Sequence, residues 1–105
     1  MTREVWIGLV HVKPGSKTTC IGNRGGAFAA TVVLAKDEQE FVARVEHFMA
    51  PMDLHVIEIE EVETLAARIR EGKVEEELVE LAKMLSDEEP VGVDTFDTYP
   101  AGEPS

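Results

Sequence analysis

Four stretches of the chain are rich in branched or aromatic apolar residues and predict β-strands. Residues 4–12, EVWIGLVHV, carry apolar side chains at both odd and even positions, so both faces of this strand are apolar and it is expected in the centre of a sheet. Residues 27–35, AFAATVVLA, predict a second strand, and residues 54–62 predict a third. Residues 90–100, PVGVDTFDTYP, alternate along their length and predict a last strand at an exposed edge.

The third of these strands becomes acidic along its length. Ile57 and Ile59 alternate with Glu58 and Glu60. Because successive side chains of a strand point to opposite faces of the sheet, this alternation predicts one dry face that holds both isoleucines and one wet face.

Apolar residues recur at helical spacing in three segments between the strands. The clearest segment predicts a helix over residues 38–50, where Asp37 can cap the first turn and Glu40 can reach back as in a capping box. A short helix is predicted over residues 64–71 and breaks at Gly72. A longer helix follows, and its apolar stripe consists of Val74, Leu78, Leu81 and Leu85.

The predicted order of elements is β-β-α-β-α-α-β. A strand, a helix and a strand of similar length, as over residues 27–62, most economically form a right-handed crossover with both strands parallel in one sheet. Adding the first and last strands gives an α+β fold. We expect a four-stranded mixed sheet with two to three helices packed on one face, ferredoxin-like or a close variant.

Length and composition indicate one folded domain. The chain has 105 residues, of which 44% are hydrophobic and 30% are charged, and this is enough apolar surface for a single core. We expect the domain to span residues 1–100 and residues 101–105 to form a disordered tail. Because no apolar run approaches the roughly 18 to 20 residues that span a bilayer, we expect a cytoplasmic protein that does not bind membranes.

The net charge of −11 is unevenly distributed. Residues 1–36 carry five basic residues and one acidic residue, whereas residues 37–105 carry five basic and twenty acidic residues. The acidic part should repel phosphates, so direct binding of nucleic acid is not expected.

The positive charge concentrates in one segment, HVKPGSKTTCIGNRGG, between the first two strands. Its glycine and lysine spacing does not match a P-loop, and a strand follows it where a P-loop needs a helix. A long hairpin connection with turn-forming glycines is one interpretation. The other is a binding loop for an anion, a ligand or an acidic surface, because long connections in compact domains are often functional. The candidate binding residues are Lys13, Lys17, Thr18 and Arg24.

No set of residues in the sequence predicts a catalytic or metal site. Cys20 lies in the basic segment and His11 is near it in sequence, but no Cys-His signature links them. The histidines His11, His47 and His55 are too scattered for a metal motif. We therefore expect no catalytic residues, no metal and no cofactor.

Two further surfaces are candidates for partner contact. The acidic side of the last predicted helix would present Glu75, Glu76 and Glu80 to water or to a basic partner. The last predicted strand would expose Phe96 and Tyr99, and an edge strand with exposed aromatic side chains can add to a neighbouring sheet.

The leading hypothesis is a small acidic, non-enzymatic protein that binds another protein through its charged surfaces or regulates it. Self-association as a homodimer is the expected outcome at the aromatic edge strand, since symmetric dimers are the commonest oligomers. One alternative is an enzyme or a binding protein for a small anionic ligand, with its site under the residue 13–26 loop. The other alternative is an acidic mimic of nucleic acid that inhibits a nucleic-acid-binding protein.

Overall fold

A computed structural model describes residues 3–15, 24–72, 76–94 and 96–100 of the chain. The strands are β1 (Glu4–Pro14), β2 (Arg24–Ala35), β3 (Leu54–Thr64), β4 (Val91–Val93) and β5 (Asp97–Pro100). The helices are α1 (Glu38–Met49), α2 (Leu65–Arg70) and α3 (Glu76–Lys83), and a 3-10 turn, Ala50–Met52, follows α1. None of these described helices is long and apolar enough to cross a membrane. Residues 101–105, expected to be a tail, lie outside the described residues.

The strands form one five-stranded sheet in the order β3-β1-β2-β4, with β5 also paired to β2. β1 lies in the centre as predicted, because it pairs antiparallel with both β2 and β3. The predicted last strand is split into β4 and β5, which pair one after the other with the outer side of β2.

The α+β class is therefore confirmed, whereas the four-stranded mixed sheet and the ferredoxin-like order are not. All neighbouring strands are antiparallel. β2 and β3 do run in the same direction, but β1 lies between them, so the crossover through α1 skips one strand. Periodicity identifies strands, but it does not tell which strand lies next to which.

One face of the sheet is covered by α1. Phe41, Val45 and Met49 of this helix are completely buried against Val10 and Val12 of β1. These residues belong to the larger of two apolar clusters and form the main core.

The opposite face is covered in part by α2 and α3. Leu65 of α2 and Leu78 of α3 pack with Ile7 and Val32 in a second, smaller cluster. Side chains alternate across a strand, so Ile7 and Val10 of β1 point to opposite faces. The expectation that the helices pack on one face is wrong, because the apolar residues on both faces of β1 require cover on both sides.

The helix ends follow the local sequence closely. The Oδ1 atom of Asp37 accepts a hydrogen bond from the Glu40 amide at 2.8 Å, as expected for the cap of α1. The carboxylate of Glu40 reaches one residue further back than in a capping box and accepts from the Lys36 amide at 3.1 Å. Thr64 caps α2 in the same way, and Gly72 follows α2 with φ +71, which suits glycine.

β3 does not keep a simple alternation. Its register against β1 shifts at two places, and Glu61 near the second one has φ 56. Val56 and Ile59 pack against the α1 cluster, whereas Ile57 is 47% exposed. The prediction that Ile57 and Ile59 share a dry face is wrong, because a bulge inserts one residue and moves the alternation by one position.

Candidate functional site

The structure describes two of the four residues predicted to form a basic binding loop. Lys13 is exposed near the end of β1 and stands opposite His55 of β3. Arg24 begins β2, and its backbone is paired with β5. Lys17 and Thr18 lie outside the described residues. A binding site in this loop therefore stays a prediction.

His11 is stacked on an aromatic ring within the sheet. It stands opposite Phe28 in the ladder between β1 and β2, on the face that also carries α2 and α3. The two ring centroids are 4.2 Å apart and the ring planes are inclined by 15°. The described geometry thus gives His11 a packing role, and Cys20 lies outside the described residues.

Acidic and histidine side chains meet at the start of β3 without forming a metal site. His55 Nε2 lies 3.8 Å from Asp53 Oδ1, in a groove of about 280 Å³ that Glu46 also lines. In residues 3–15, 24–72, 76–94 and 96–100, no group of three histidine, cysteine, aspartate or glutamate side chains is arranged to hold a metal ion.

The predicted acidic surface of the last helix adjoins a groove between α3 and β4. Glu76 and Glu80 are exposed on α3 and line this groove, whose volume is about 490 Å³. Its apolar lining comes from Leu81, Met84 and Val93, and Met84 is 75% exposed. We call this space the α3-side groove.

Two of the predicted acidic residues, Glu80 and Glu75, differ from Glu76, which is exposed and makes no ion pair with the described residues. Glu80 Oε1 lies 3.3 Å from Lys83 Nζ, but both side chains are about two-thirds exposed, so this ion pair is weak. Glu75 lies outside the described residues. The remaining carboxylates of the groove belong to Glu76, Glu77 and Asp94.

A second groove of about 750 Å³ lies between α1 and residues 88–91. Its apolar lining includes Ala43, Phe48 and Pro90, and Phe48 is 37% exposed. Glu88 and Glu89 are both exposed on its rim, and Arg44 and His47 also line it. We call this space the α1-side groove.

Glu40 and Arg44, which line the α1-side groove, belong to an ion-pair network. Arg3 donates from Nε to Glu40 Oε1 and from Nη1 to Asp87 Oδ1, both at 3.1 Å, and Arg44 Nε lies 3.4 Å from the same Glu40 oxygen. Desolvation alone would raise the pKa of Glu40. Hydrogen bonds from the Lys36 amide and Arg3, with the charges of both arginines, outweigh it, so this pKa lies below its ordinary value.

β4 separates the two grooves and forms an edge of the sheet. It pairs with β2 on one side, and no strand among the described residues pairs with its other side. Val91 lines the α1-side groove. Val93 borders the α3-side groove, although its side chain packs with that of Val91 against the α1 cluster. We refer to β4 and the two grooves together as the β4 edge.

The two aromatic residues predicted to form a contact surface on the last strand are Phe96 and Tyr99. Phe96 is half-buried and packs against the α1 cluster, and its contact with a partner stays a prediction. It lies in the break between β4 and β5, where the chain does not continue as one regular strand. Tyr99 lies in β5, and its backbone is paired with Gly26 of β2.

The sequence pattern missed both apolar grooves. Phe48 recurs at helical spacing with the core residues of α1, which favours a core position, but it lies at the border of the buried face. Met84 carries a clearer signal, because it does not fall in step with the stripe of Leu78, Leu81 and Leu85. A large apolar residue outside the stripe of an otherwise acidic helix can indicate a contact surface.

Comparison of the chain with protein-family models, curated proteins and solved structures finds no match. In the part of the chain that the structure describes, the β4 edge combines exposed apolar side chains, carboxylates and an open strand.

Proposed function

We propose that this protein acts by binding another protein and that the β4 edge is the surface on which the partner docks. The observation that carries the proposal is the exposure of Met84 and Phe48 in two grooves whose rims bear carboxylates. A basic partner with apolar side chains would bury Met84 and Phe48 and would neutralise the carboxylates on the rims. This is binding through a surface and requires no catalytic group.

The apolar linings matter more for affinity than the carboxylates do. Complete burial of a large apolar side chain contributes about 1.5–3 kcal/mol, whereas an exposed ion pair contributes about 0.2–1 kcal/mol. The carboxylates would mainly accelerate association with a basic partner and exclude acidic ones. Met84 and Phe48 are therefore the expected anchors, and the glutamates select the class of partner.

The other functions considered from the sequence have weaker support. A mimic of nucleic acid needs rows of carboxylates but gains nothing from apolar grooves. An anion site under the residue 13–26 loop depends on Lys17 and Thr18, which lie outside the described residues. A homodimer through β4 would place the carboxylates of two copies close together, and like charges that face each other are unfavourable.

Selection of short random peptides on the full-length chain tests the proposal. We expect the selected peptides to combine lysine or arginine with apolar residues, and their affinity to fall as salt is raised. The double variant Glu76→Lys/Glu80→Lys should weaken binding by about tenfold or more, because it reverses two charges on the rim of the α3-side groove.

The matched control reverses the same number of charges at the opposite edge of the sheet. Glu58→Lys/Glu60→Lys in β3 should change affinity by less than about threefold, since both residues lie far from the partner. Selected peptides without a basic bias, or equal losses in the two double variants, would contradict the proposal.

A further inference from the structure

We propose that the partner docks as an extended basic segment that adds to β4 as one more strand of the sheet. This inference rests on the proposed function and specifies the conformation and composition of the segment that binds. It follows from three features of the β4 edge: the direction of its backbone groups, the position of the grooves and the location of the charges.

The backbone of β4 is directed suitably for a further strand. The Leu34 amide donates to the Pro90 carbonyl at 2.8 Å, and the Asp94 amide donates to the Ala30 carbonyl at 3.0 Å. In an antiparallel ladder the residues alternate between bonding the neighbour and pointing away from it. Residues 90, 92 and 94 thus face β2, and the amides and carbonyls of Val91 and Val93 point outward from the sheet.

The two grooves lie on opposite faces of the sheet beside this outward edge. α1 covers one face and α3 the other, and β4 runs between them. The side chains of an added strand would alternate between the two faces. One set would enter the α1-side groove near Phe48, and the other set would enter the α3-side groove near Met84. Main-chain hydrogen bonds would supply affinity and the two grooves would supply selectivity, as in other cases of strand addition.

The charges specify a basic segment. Within the described residues, five carboxylates on the rims of the two grooves make no ion pair, and they belong to Glu76, Glu77, Glu88, Glu89 and Asp94. Three lie on the α3 side and two on the α1 side of β4. A segment with apolar residues at its centre and lysine or arginine around them would match both the linings and the rims.

β4 is a better acceptor than β3, which also lies at an edge. The ladder of β3 is interrupted by two shifts of register, and bulges of this kind oppose the addition of a further strand. β4 keeps one continuous register with β2 over Val91–Val93. A second copy of the chain is a less suitable occupant of β4, because it would bring its own acidic groove rims against those of the first copy.

The test uses the tightest-binding peptide from the selection on the full-length chain, synthesised with one backbone N-methyl group at each position in turn. N-methylation removes one amide donor and leaves the side chains unchanged. In an added strand, only every second amide faces β4. Because only the carbonyls of Val91 and Val93 point outward, we expect a period of two over the part of the peptide that faces β4: two N-methyl positions, two residues apart, lose at least about tenfold in affinity, and the position between them loses less than about threefold.

The outcomes separate this inference from the proposed function. If the unmethylated peptide loses affinity on Glu76→Lys/Glu80→Lys but the N-methyl series has no period of two, strand addition is wrong and the β4 edge still binds. If the double variant binds as tightly as the parent chain, both proposals fail. A dimer of the chain alone that the same double variant abolishes would make a second copy the occupant and would overturn the inference.

Discussion

Both edges of the sheet carry acidic side chains, but the surroundings of these side chains differ. β3 spans Leu54–Thr64, is bulged twice and exposes Glu58, Glu60 and Glu61. β4 spans only Val91–Val93, and beside it a groove with exposed apolar side chains lies on each face of the sheet. Negative charge is thus spread along an irregular strand at one edge and placed around apolar surface at the other.

This difference teaches that acidity alone does not identify a binding surface. Charged side chains and bulges on an edge strand are common devices that prevent sheets from joining edge to edge. The glutamates of β3 fit that role. Under the proposed function, the carboxylates beside exposed Met84 and Phe48 would select the partner, because burial of the apolar groups can supply the affinity.

The largest effect is expected from filling the space between β4 and α3. A Cβ atom at Gly92 would lie 2.8 Å from Leu81 Cγ, which is too close for van der Waals contact. Gly92→Val should lower the free energy of unfolding by about 1–3 kcal/mol because it overpacks this contact. Urea unfolding measures the change, and peptide affinity should fall with it as the α3-side groove is distorted.

A double-mutant cycle provides the control for this contact. Shortening the opposing side chain by Leu81→Ala should relieve part of the cost of Gly92→Ala, so the double variant should be more stable than the sum of the single changes indicates. Strict additivity would show that β4 and α3 are not in contact as described.

A smaller and pH-dependent effect is expected at the wall of the α1-side groove. The pKa of Glu40 is lower in the folded state, so its contribution to stability is fully present above the ordinary value of about 4.3 and is lost as the pH falls through the lowered value. Glu40→Gln should therefore be less stable than the parent at pH 7, and the two should converge in acid.

Urea unfolding of both proteins at neutral and acidic pH measures this convergence. Glu88→Gln is the matched control, because Glu88 lies on the rim of the same groove and makes no ion pair with the described residues. A stability difference for Glu40→Gln that is independent of pH would show that the carboxylate is not held by Arg3 and Arg44.

The smallest effect on stability is expected at β3, together with a change in solubility. Glu58→Thr/Glu60→Thr should alter the free energy of unfolding by less than about 0.5 kcal/mol, because both positions are exposed. It should nevertheless promote self-association, since the protecting charges are gone and threonine favours strands. Light scattering over a range of concentrations checks this. A variant that stays monomeric would show that Glu58 and Glu60 do not protect the β3 edge from self-association.

Local sequence signals predicted the elements well, because their causes are local. The cap at Asp37 fixed the start of α1, and the apolar residues on both faces of residues 4–12 identified the central strand. The same pattern could have predicted helices on both faces. The bulge that exposes Ile57 and the strand order could not be predicted, because both depend on pairing between distant segments.

The sequence pointed to the proposed docking surface only through its charge. The acidic side of the predicted helix indicated Glu76 and Glu80, but the groove beside them also depends on how α3 packs on β4, where Gly92 lies close to Leu81. That contact joins a helix to a strand, and no periodicity within either element predicts it. Met84 left a weak local signal through its position outside the apolar stripe of α3.

Hydrogen exchange of the backbone amides, followed by NMR with and without the selected peptide, tests the β4 edge most directly. The amides of Val91 and Val93 point away from β2, so they should exchange quickly in the free protein and become protected when a strand is added, while Gly92 changes little. Protection that appears in Leu54–Thr64 instead, or no protection at Val91 and Val93 with the peptide bound, would contradict docking of an extended segment on β4.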